Sequence, residues 1–387
     1  MKKTLSIFLS YLLITFNSFV FATENNNKDI LKIGVLAPFS GELKFIGETI
    51  LYSINLALHD INDNSLKIYP KVSGSKKERI LSACKDFQSE GVKIIIGPVD
   101  SKFVNDLKEF DDLVFLSLSN MSSIVEKNVI MMGINLESQL LAIKKFIEKQ
   151  EKKKTVILYP DDKKSKHIGK KIKEIGFNNS RIFKYSKDSE VLTGQIEKLT
   201  NYKQRKINLE SRIKTLEKSD LPKDVRELNQ LKQKYTLGDV NFDSVIIIDF
   251  DDGLKSVLTS LEYTDVTEKN ILILTANQWF DDSILTETSI KKFYFPSINL
   301  KNYKSFNRKF FKTYGYFPNE ISIISYDILG FIYYLWKSEN PIRSVKDFNI
   351  KNEIKGKIGN FKIFDNKVIQ KLEMYTLEEN KFIKNKL

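Results

Sequence analysis

Short runs of uninterrupted apolar residues constrain this chain more than any other feature. KIGVLA, VKIIIGPVD, LVFLSLSN, TVILYPDD, SVIIIDFDDG and NILILTANQW each end in a polar or glycine-containing loop. Between them lie segments with apolar residues at three-four spacing, such as KERILSACKDFQSEG, LESQLLAIKKFIEKQ and LKSVLTSLEY. Strands that are apolar throughout, rather than alternating, belong to parallel sheets covered on both faces, and the intervening segments supply the covering helices. The expected fold class is therefore α/β.

The pattern runs once, from Ile33 to Asn120, and then restarts at LESQLL. Two successive runs imply two doubly wound lobes rather than one oversized sheet, and 387 residues suffice for both. The first lobe is expected to comprise 29–133 and 293–343, the second 134–292 and 344–387. A long apolar segment, NEISIISYDILGFIYYLWKS, reads as a late helix. The closing stretch GKIGNFKIFDNKVIQKLEMYTLEENKFI alternates apolar and polar residues around a DNK turn, a β-hairpin pattern.

One segment breaks the α/β rhythm. Lys198 to Tyr235 contains no glycine, a single proline and many charged side chains. Leu192, Ile196, Leu199, Tyr202, Leu209, Ile213 and Leu216 follow three-four spacing, and Val225, Leu228, Leu231 and Tyr235 repeat it after Pro222. This predicts a coiled-coil-like helical hairpin over 198–237, inserted in the second lobe, with arms of roughly 15–20 residues.

The first 22 residues carry Lys2 and Lys3, an apolar stretch from Leu5 to Phe21 and a small-residue cleavage site at Val20–Ala22. That is the pattern of a secretory signal peptide; the alternative is an uncleaved membrane anchor. The polar TENNN that follows, and the lack of a second apolar span, favour cleavage and a mature chain without a stable membrane span. No cysteine follows the apolar stretch to carry a lipid, so the expected location is the periplasm as a soluble protein. The only cysteine is Cys84, which excludes an intrachain disulfide. The formal charge is +13, but lysine is spread along the whole chain, so no nucleic-acid partner is expected.

Several chemistries are excluded by what is missing. His59, His167 and Cys84 have no metal-ligand spacing and form no nucleophile pair, so neither a catalytic residue nor a metal is expected. There is no Gly-x-Ser-x-Gly elbow, no Gly-x-Gly-x-x-Gly fingerprint and no phosphate-binding loop of the Walker type. No cofactor is expected, and the chain is read as not an enzyme. The acidic pairs Asp161–Asp162, Asp251–Asp252 and Asp281–Asp282 follow strands, where aspartate commonly caps the next helix.

What remains are the loops at the carboxyl ends of the strands, where open α/β sheets bind ligands. They are APFSGELKFIG (Ala37–Gly47), GPVDSK (Gly97–Lys102) and SLSNMSS (Ser117–Ser123), each offering hydroxyls or N–H groups at the start of a helix.

These loops, together with NVIMMGIN and FNRKFFKTYGYFPNEISIISYDILGFIYYLW, resemble the type I periplasmic binding proteins, in particular the leucine-binding-protein group. The resemblance spans essentially the whole mature chain. It implies two lobes joined by three crossovers, with a small polar, amino-acid-like ligand held between them and no chemistry of its own. Residue by residue, it implies Ser101 and Ser119 as hydrogen-bonding anchors, with Phe39, Ser40, Asn120, Met121 and Trp279 around them. Met121 stands where the amino-acid binders have a threonine, Ile46 where they have an aromatic, and Lys166 or His167 where a tyrosine is expected. Asp281 or Asp282 is the acidic residue that would meet an ammonium group.

The segment from Leu199 through Tyr235 resembles the helical hairpin of bacterial penicillin-binding-protein activators, which share this fold. That implies a peptidoglycan synthase as partner, whereas the solute-binding resemblance implies an ABC-transporter permease.

Overall fold

The computed structural model describes residues 30–385 except 75, 122–125, 277–278, 281–291, 339–341 and 379–380. The expected signal peptide, and Asp281 and Asp282, lie outside the described residues.

The apolar runs form two separate sheets. In the first, β1 (Leu31–Ala37) lies between β2 (Leu66–Val72) and β3 (Ile94–Ile96), followed by β4 (Val114–Ser117) and β5 (Val129–Met131), all parallel. Leu31 faces Leu66 and Ile33 faces Ile94 in the ladder. Every residue of β3, β4 and β5 is buried, as continuous apolar strands require. The connections are α1 (Lys44–Ile61), α2 (Lys77–Ser89) and a 3-10 helix at Ser101–Glu109.

The chain then crosses to the second sheet through α3 (Leu136–Lys149). There it forms β6 (Thr155–Pro160), α4 (Lys166–Ile175), β7 (Ser180–Tyr185) and α5 (Ser189–Leu199). After α6 (Tyr202–Leu216) and α7 (Pro222–Leu231) come β8 (Ser244–Ile247), α8 (Asp251–Tyr263), β9 (Leu272–Thr275) and β10 (Tyr294–Ser297). It returns through α9 (Leu300–Tyr314) and α10 (Ser322–Lys337) to β11 (Ile354–Lys355), β12 (Asn360–Phe364) and β13 (Lys367–Gln370) in the first sheet. It ends with β14 (Glu373–Glu378) and β15 (Lys381–Asn385) in the second. The orders are β11-β12-β13-β5-β4-β3-β1-β2 and β15-β14-β10-β9-β8-β6-β7, so the chain passes between the sheets three times.

Sheet membership moves the expected lobe boundaries. Tyr294–Ser297, expected in the first lobe, pairs with β9 and β14 in the second sheet. Residues 354–370, expected in the second lobe, complete the first sheet. The alternating pattern of the last segment identified hairpins but could not say which sheet each would extend. The DNK turn closes the first of them, with Asp365 and Asn366 both at positive φ, as a two-residue hairpin loop demands.

The late helix α10 packs on α1 through small residues that let the two backbones approach. Ser322 hydrogen-bonds Thr49 at 2.8 Å and Ser325 donates to the Ile50 carbonyl. Around them Ile323, Ile324, Ile328, Leu329 and Ile332 are buried, each side chain worth about 1.5–3 kcal/mol of transfer free energy. Asp327, on the same helix, is buried and accepts the N–H groups of Lys357 and Ile358 at 2.8 Å. Burial pushes its carboxyl up to about 6, against the pull of those two donors.

The charged segment after α5 forms two helices packed on each other by a small core of Leu209, Leu216 and Leu231 with Ile213, Leu228 and Leu237. Arg212 grips Glu227 with two parallel bonds of 2.8 Å. Pro222 sits in the first turn of α7, where its missing N–H costs nothing. The pair is tied to the second lobe by Arg205, which donates to the carbonyls of Gly238 and Thr264. Asp265 adds a second tie by accepting from the backbone of Tyr235 and Thr236. The continuous seam expected from spacing is divided instead. Leu192, Ile196 and Leu199 belong to α5 and enter the core of the second lobe, while Val225 and Tyr235 are exposed. The second arm has 10 residues, short of the expected 15–20. No described helix is long and apolar enough to cross a membrane.

Candidate ligand-binding site

In the first sheet the strand-end loops are held by backbone contacts that leave no room for side chains. Behind the loop after β1, a Cβ on Gly47 would stand 2.4 Å from the Pro38 carbonyl oxygen. At the end of β3, Gly97 has a φ of +118°, and a Cβ there would stand 2.1 Å from the Leu36 carbonyl oxygen. Phe39 is half-buried and Ser40 exposed at the mouth of this loop. The glycine requirement lets α1 and the loop after β3 press directly onto the end of β1.

The loops after β3 and β4 are stitched together. Ser117 donates to the Pro98 carbonyl at 2.9 Å, and Leu118 donates its N–H to the same oxygen. Asp100 accepts the Lys102 N–H and so starts the 3-10 helix whose first residue is Ser101, half-buried. Ser119 is buried, and its hydroxyl oxygen accepts the Met121 N–H at 3.2 Å. A serine hydroxyl engaged as acceptor keeps its proton for another acceptor. Asn120 is exposed and Met121 half-buried beside it. Six of the expected residues thus share three adjacent loops of one rim.

Trp279, the seventh, comes from the second lobe. It is half-buried and its ring lies 6.2 Å from that of Tyr303 on α9. Next to it, Phe280 meets Tyr375 edge-on at 5.0 Å and Phe382 at 5.3 Å. These contacts hold Phe280 against the β14–β15 end of its sheet.

The opposing rim, at the strand ends of the second sheet, is charged and already satisfied. Asp162 caps the turn into α4 by accepting from Ser165 and pairs with Lys187 at 3.0 Å. Burial opposes ionisation of Asp162, but Lys187 and Ser165 outweigh it and hold the carboxyl below its ordinary range. Lys166 and His167 open α4. Asp249, just past β8, is buried, accepts the Tyr185 hydroxyl at 2.5 Å and takes the Phe250 N–H. Burial first, and Asp249 second, raise the Tyr185 hydroxyl well above its usual pKa. Gly253 is required here, since a Cβ would stand 2.3 Å from an Asp249 oxygen. Asp251 and Asp252 fall in the first turn of α8 without capping it. Capping therefore holds for Asp162, whereas at α8 the favourable position beside the helix N-terminus is all that Asp251 and Asp252 gain. Among the described residues no group of His, Cys, Asp and Glu is placed to hold a metal ion. His59 is exposed and Cys84 is buried, its thiol pushed up to about 12 by burial.

No family model matches the chain. An uncharacterized protein of Rickettsia prowazekii (strain Madrid E) is 23% identical over 280 residues, covering 67% of this chain and 74% of that protein. Among solved structures, an ABC-transporter substrate-binding protein from Desulfitobacterium hafniense in complex with Leu superposes with a TM-score of 0.60 at 15% identity. That match covers 92% of this chain and 99% of the other. LpoA from Haemophilus influenzae gives a TM-score of 0.60 at 13% identity; here the match covers 92% of this chain and only 59% of LpoA. The LpoA C-domain alone, described as a regulator of PBP1A, gives 0.58 at 12%, over 92% and 99%. The fold is that of a type I periplasmic binding protein.

Within that fold, the junction between lobes was not legible from sequence. Glu137 on α3 pairs with Lys367 on β13 at 2.7 Å and with Lys171 on α4 at 3.2 Å, bridging the first sheet and the second lobe. Burial alone would raise the Glu137 carboxyl, but the two lysines reverse this and hold it below the usual value. Asn135 donates to the Val368 carbonyl, and Gln370 donates to the Met132 and Gly133 carbonyls. These residues are more than two hundred positions apart in sequence, and no local pattern announces them. The rim residues that sequence reasoning missed are the Tyr185–Asp249 pair and Phe280; the only signal was an apolar strand ending in aspartate.

Proposed function

We propose that this is an exported, non-enzymatic, solute-binding-type protein of the periplasm that holds a small polar, amino-acid-like ligand between its lobes. The observation that carries the reading is the first-lobe rim, where Ser101 and Ser119 lie on adjacent, glycine-backed loops and the Ser119 hydroxyl, engaged as an acceptor, keeps its proton to donate. In this reading Ser101 and Ser119 bind the ligand's polar head, Asn120 and Ser40 add exposed polar groups, and Phe39, Met121 and Trp279 exclude water. The ligand contacts both lobes and favours the closed state by its extra contacts there. Calorimetric titration with an amino-acid library tests it. Binding that weakens about tenfold in Ser119→Ala, about 1.4 kcal/mol, supports capture; silence across the library contradicts it.

A second reading is favoured by the α6–α7 pair. Ile207, Leu221 and Val225 are exposed on it at 56%, 65% and 42%, apolar side chains that a docked partner would cover. In this reading the chain is a penicillin-binding-protein-activator-like regulator of a peptidoglycan synthase, with an idle cleft. Capture of such a synthase, lost on deleting residues 202–235, together with silence in the titrations, would establish it in place of the first.

A further inference from the structure

The helix α9 carries Lys301, Lys304, Arg308, Lys309 and Lys312 and no acid. At about 3.6 residues per turn, Lys301, Lys304, Arg308, Phe311 and Lys312 fall on one face. The opposite face carries Phe306 and Phe310, which are buried in the core. Lys309, on the flank, is bound to Asp60. Lys301, Lys304, Arg308 and Lys312 are exposed and form no ion pair among the described residues.

Apolar rings stand beside these cations. Gly315 ends α9 at a φ of +83°, and the chain turns back so that Phe317 stacks on Phe311 with ring centroids 4.8 Å apart. The neighbouring Tyr316 meets Phe45, at the start of α1, at 5.9 Å. Leu43, Phe45, Phe311 and Phe317 are exposed at 48%, 47%, 46% and 59%. Three acids lie close by in the sequence. Glu48 is paired with Lys44 at 3.4 Å, which leaves Glu42 and Glu320 on the flanking loops against the four free cations.

Whatever covers this face must offer anionic groups to the cations and an apolar phase to the rings among them. The headgroup boundary of an anionic bilayer offers both in one plane, where each basic residue attracts the surface and Phe or Leu enters the acyl edge. An acidic protein would satisfy the cations but would need apolar pockets of its own for Phe311 and Phe317. Because Phe306 and Phe310 anchor α9 in the lobe, the helix cannot roll, and only the projecting rings can enter lipid.

We propose that this face of the first lobe docks on an anionic lipid surface. Lys301, Lys304, Arg308 and Lys312 meet the lipid phosphates, while Phe311 and Phe317, with Phe45 and Leu43 beside them, enter the boundary between headgroups and acyl chains. Leu43 and Phe45 follow Phe39 and Ser40 in the chain, so docking holds the first-lobe rim near the membrane. The surface is separate from Ser101 and Ser119, and it stands or falls apart from the proposed capture of an amino-acid-like ligand.

The test is co-sedimentation of the mature chain, without the apolar residues 1–22, with vesicles of phosphatidylglycerol and phosphatidylcholine or of phosphatidylcholine alone. Binding should be at least about tenfold tighter with phosphatidylglycerol and should weaken as salt is added. The triple variant Lys304→Gln/Arg308→Gln/Lys312→Gln and the double variant Phe311→Ser/Phe317→Ser should each lose about tenfold or more, whereas Ser119→Ala should bind unchanged. All five substituted side chains are exposed, so the thermal midpoints should be kept, which circular dichroism checks. Phe317→Trp, which keeps an aromatic ring in place, should shift its emission to the blue on phosphatidylglycerol vesicles and be quenched by brominated lipid, relative to the wild-type protein. Equal binding to both vesicle types, no binding to either, or binding indifferent to the two multiple variants would overturn the proposal. Binding that needs the cations but leaves the Phe317→Trp emission unmoved would also overturn it, in favour of an acidic protein partner.

Discussion

The two strand-end rims of this molecule are built from opposite materials. The first-lobe rim is backbone, glycine and hydroxyl, with Gly47, Gly97 and Gly133 each packed against a carbonyl that no side chain could approach. The second-lobe rim is filled by its own side chains, with Tyr185 bonded to Asp249, Asp162 to Lys187 and Phe280 wedged among Phe295, Tyr375 and Phe382. Under the proposed capture of a ligand, the second rim would supply shape and closure, and the first, with Ser40 and Asn120 exposed beside the buried Ser119, would supply recognition.

The comparison breaks most sharply at Gly97. Gly97→Ala puts a methyl 2.1 Å from a backbone oxygen at a φ few side chains adopt, and should destabilise by about 3 kcal/mol or more. Denaturant unfolding followed by fluorescence would read it. Next in size is Asp327. Its folded carboxyl titrates at about 6, above its ordinary 3.8, so its contribution to stability is full below 3.8 and is lost as pH rises through 6. That contribution amounts to as much as about 3 kcal/mol. Asp327→Asn should remove this dependence, and a wild-type-minus-variant difference that stays flat between pH 4 and 7 would refute it.

Tyr185→Phe should cost about 1–3 kcal/mol, because the buried Asp249 loses a donor. If the second rim is filled rather than recognising, this variant should leave ligand affinity nearly unchanged. Ser119→Ala should show the reverse, with little change in midpoint and about tenfold weaker binding. The smallest effect belongs to Asp162. Its folded pKa is lowered, so its contribution is present above 3.8 and lost as pH falls through the lowered value. Asp162→Asn should flatten only the acid limb, by well under about 1 kcal/mol at this half-buried, solvent-screened site, as read by thermal midpoints from pH 2 to 5.

Much of this architecture was readable because a parallel strand buried on both faces has no polar alternation to confuse it; III at 94–96 and TVILYP at 155–160 announce themselves. The first-lobe loops were readable for a related reason: glycine, proline and serine at strand ends have few other uses. The sheet assignment of 294–297 and 354–370 was not legible, since a strand's sequence records its burial and not its neighbour. Nor was the division of the three-four pattern between α5 and the α6–α7 pair, because that spacing is the same whether a helix faces a sheet or a partner helix. Ile196 and Leu209 both sit on such a stripe, yet one enters the lobe core and the other the hairpin core. The Glu137–Lys367 and Gln370 contacts join residues brought together by the second passage between sheets, and lay beyond any local reading.

Ligand recognition by the first-lobe rim is the proposal on which the contrast between the lobes rests. Titration of the mature protein with an amino-acid-like ligand, repeated on Ser101→Ala, Ser119→Ala and Tyr185→Phe, addresses it most directly. Measurable binding should fall about tenfold in each serine variant and be retained in Tyr185→Phe. Binding that ignores both serines, or that disappears only with Tyr185, would contradict it.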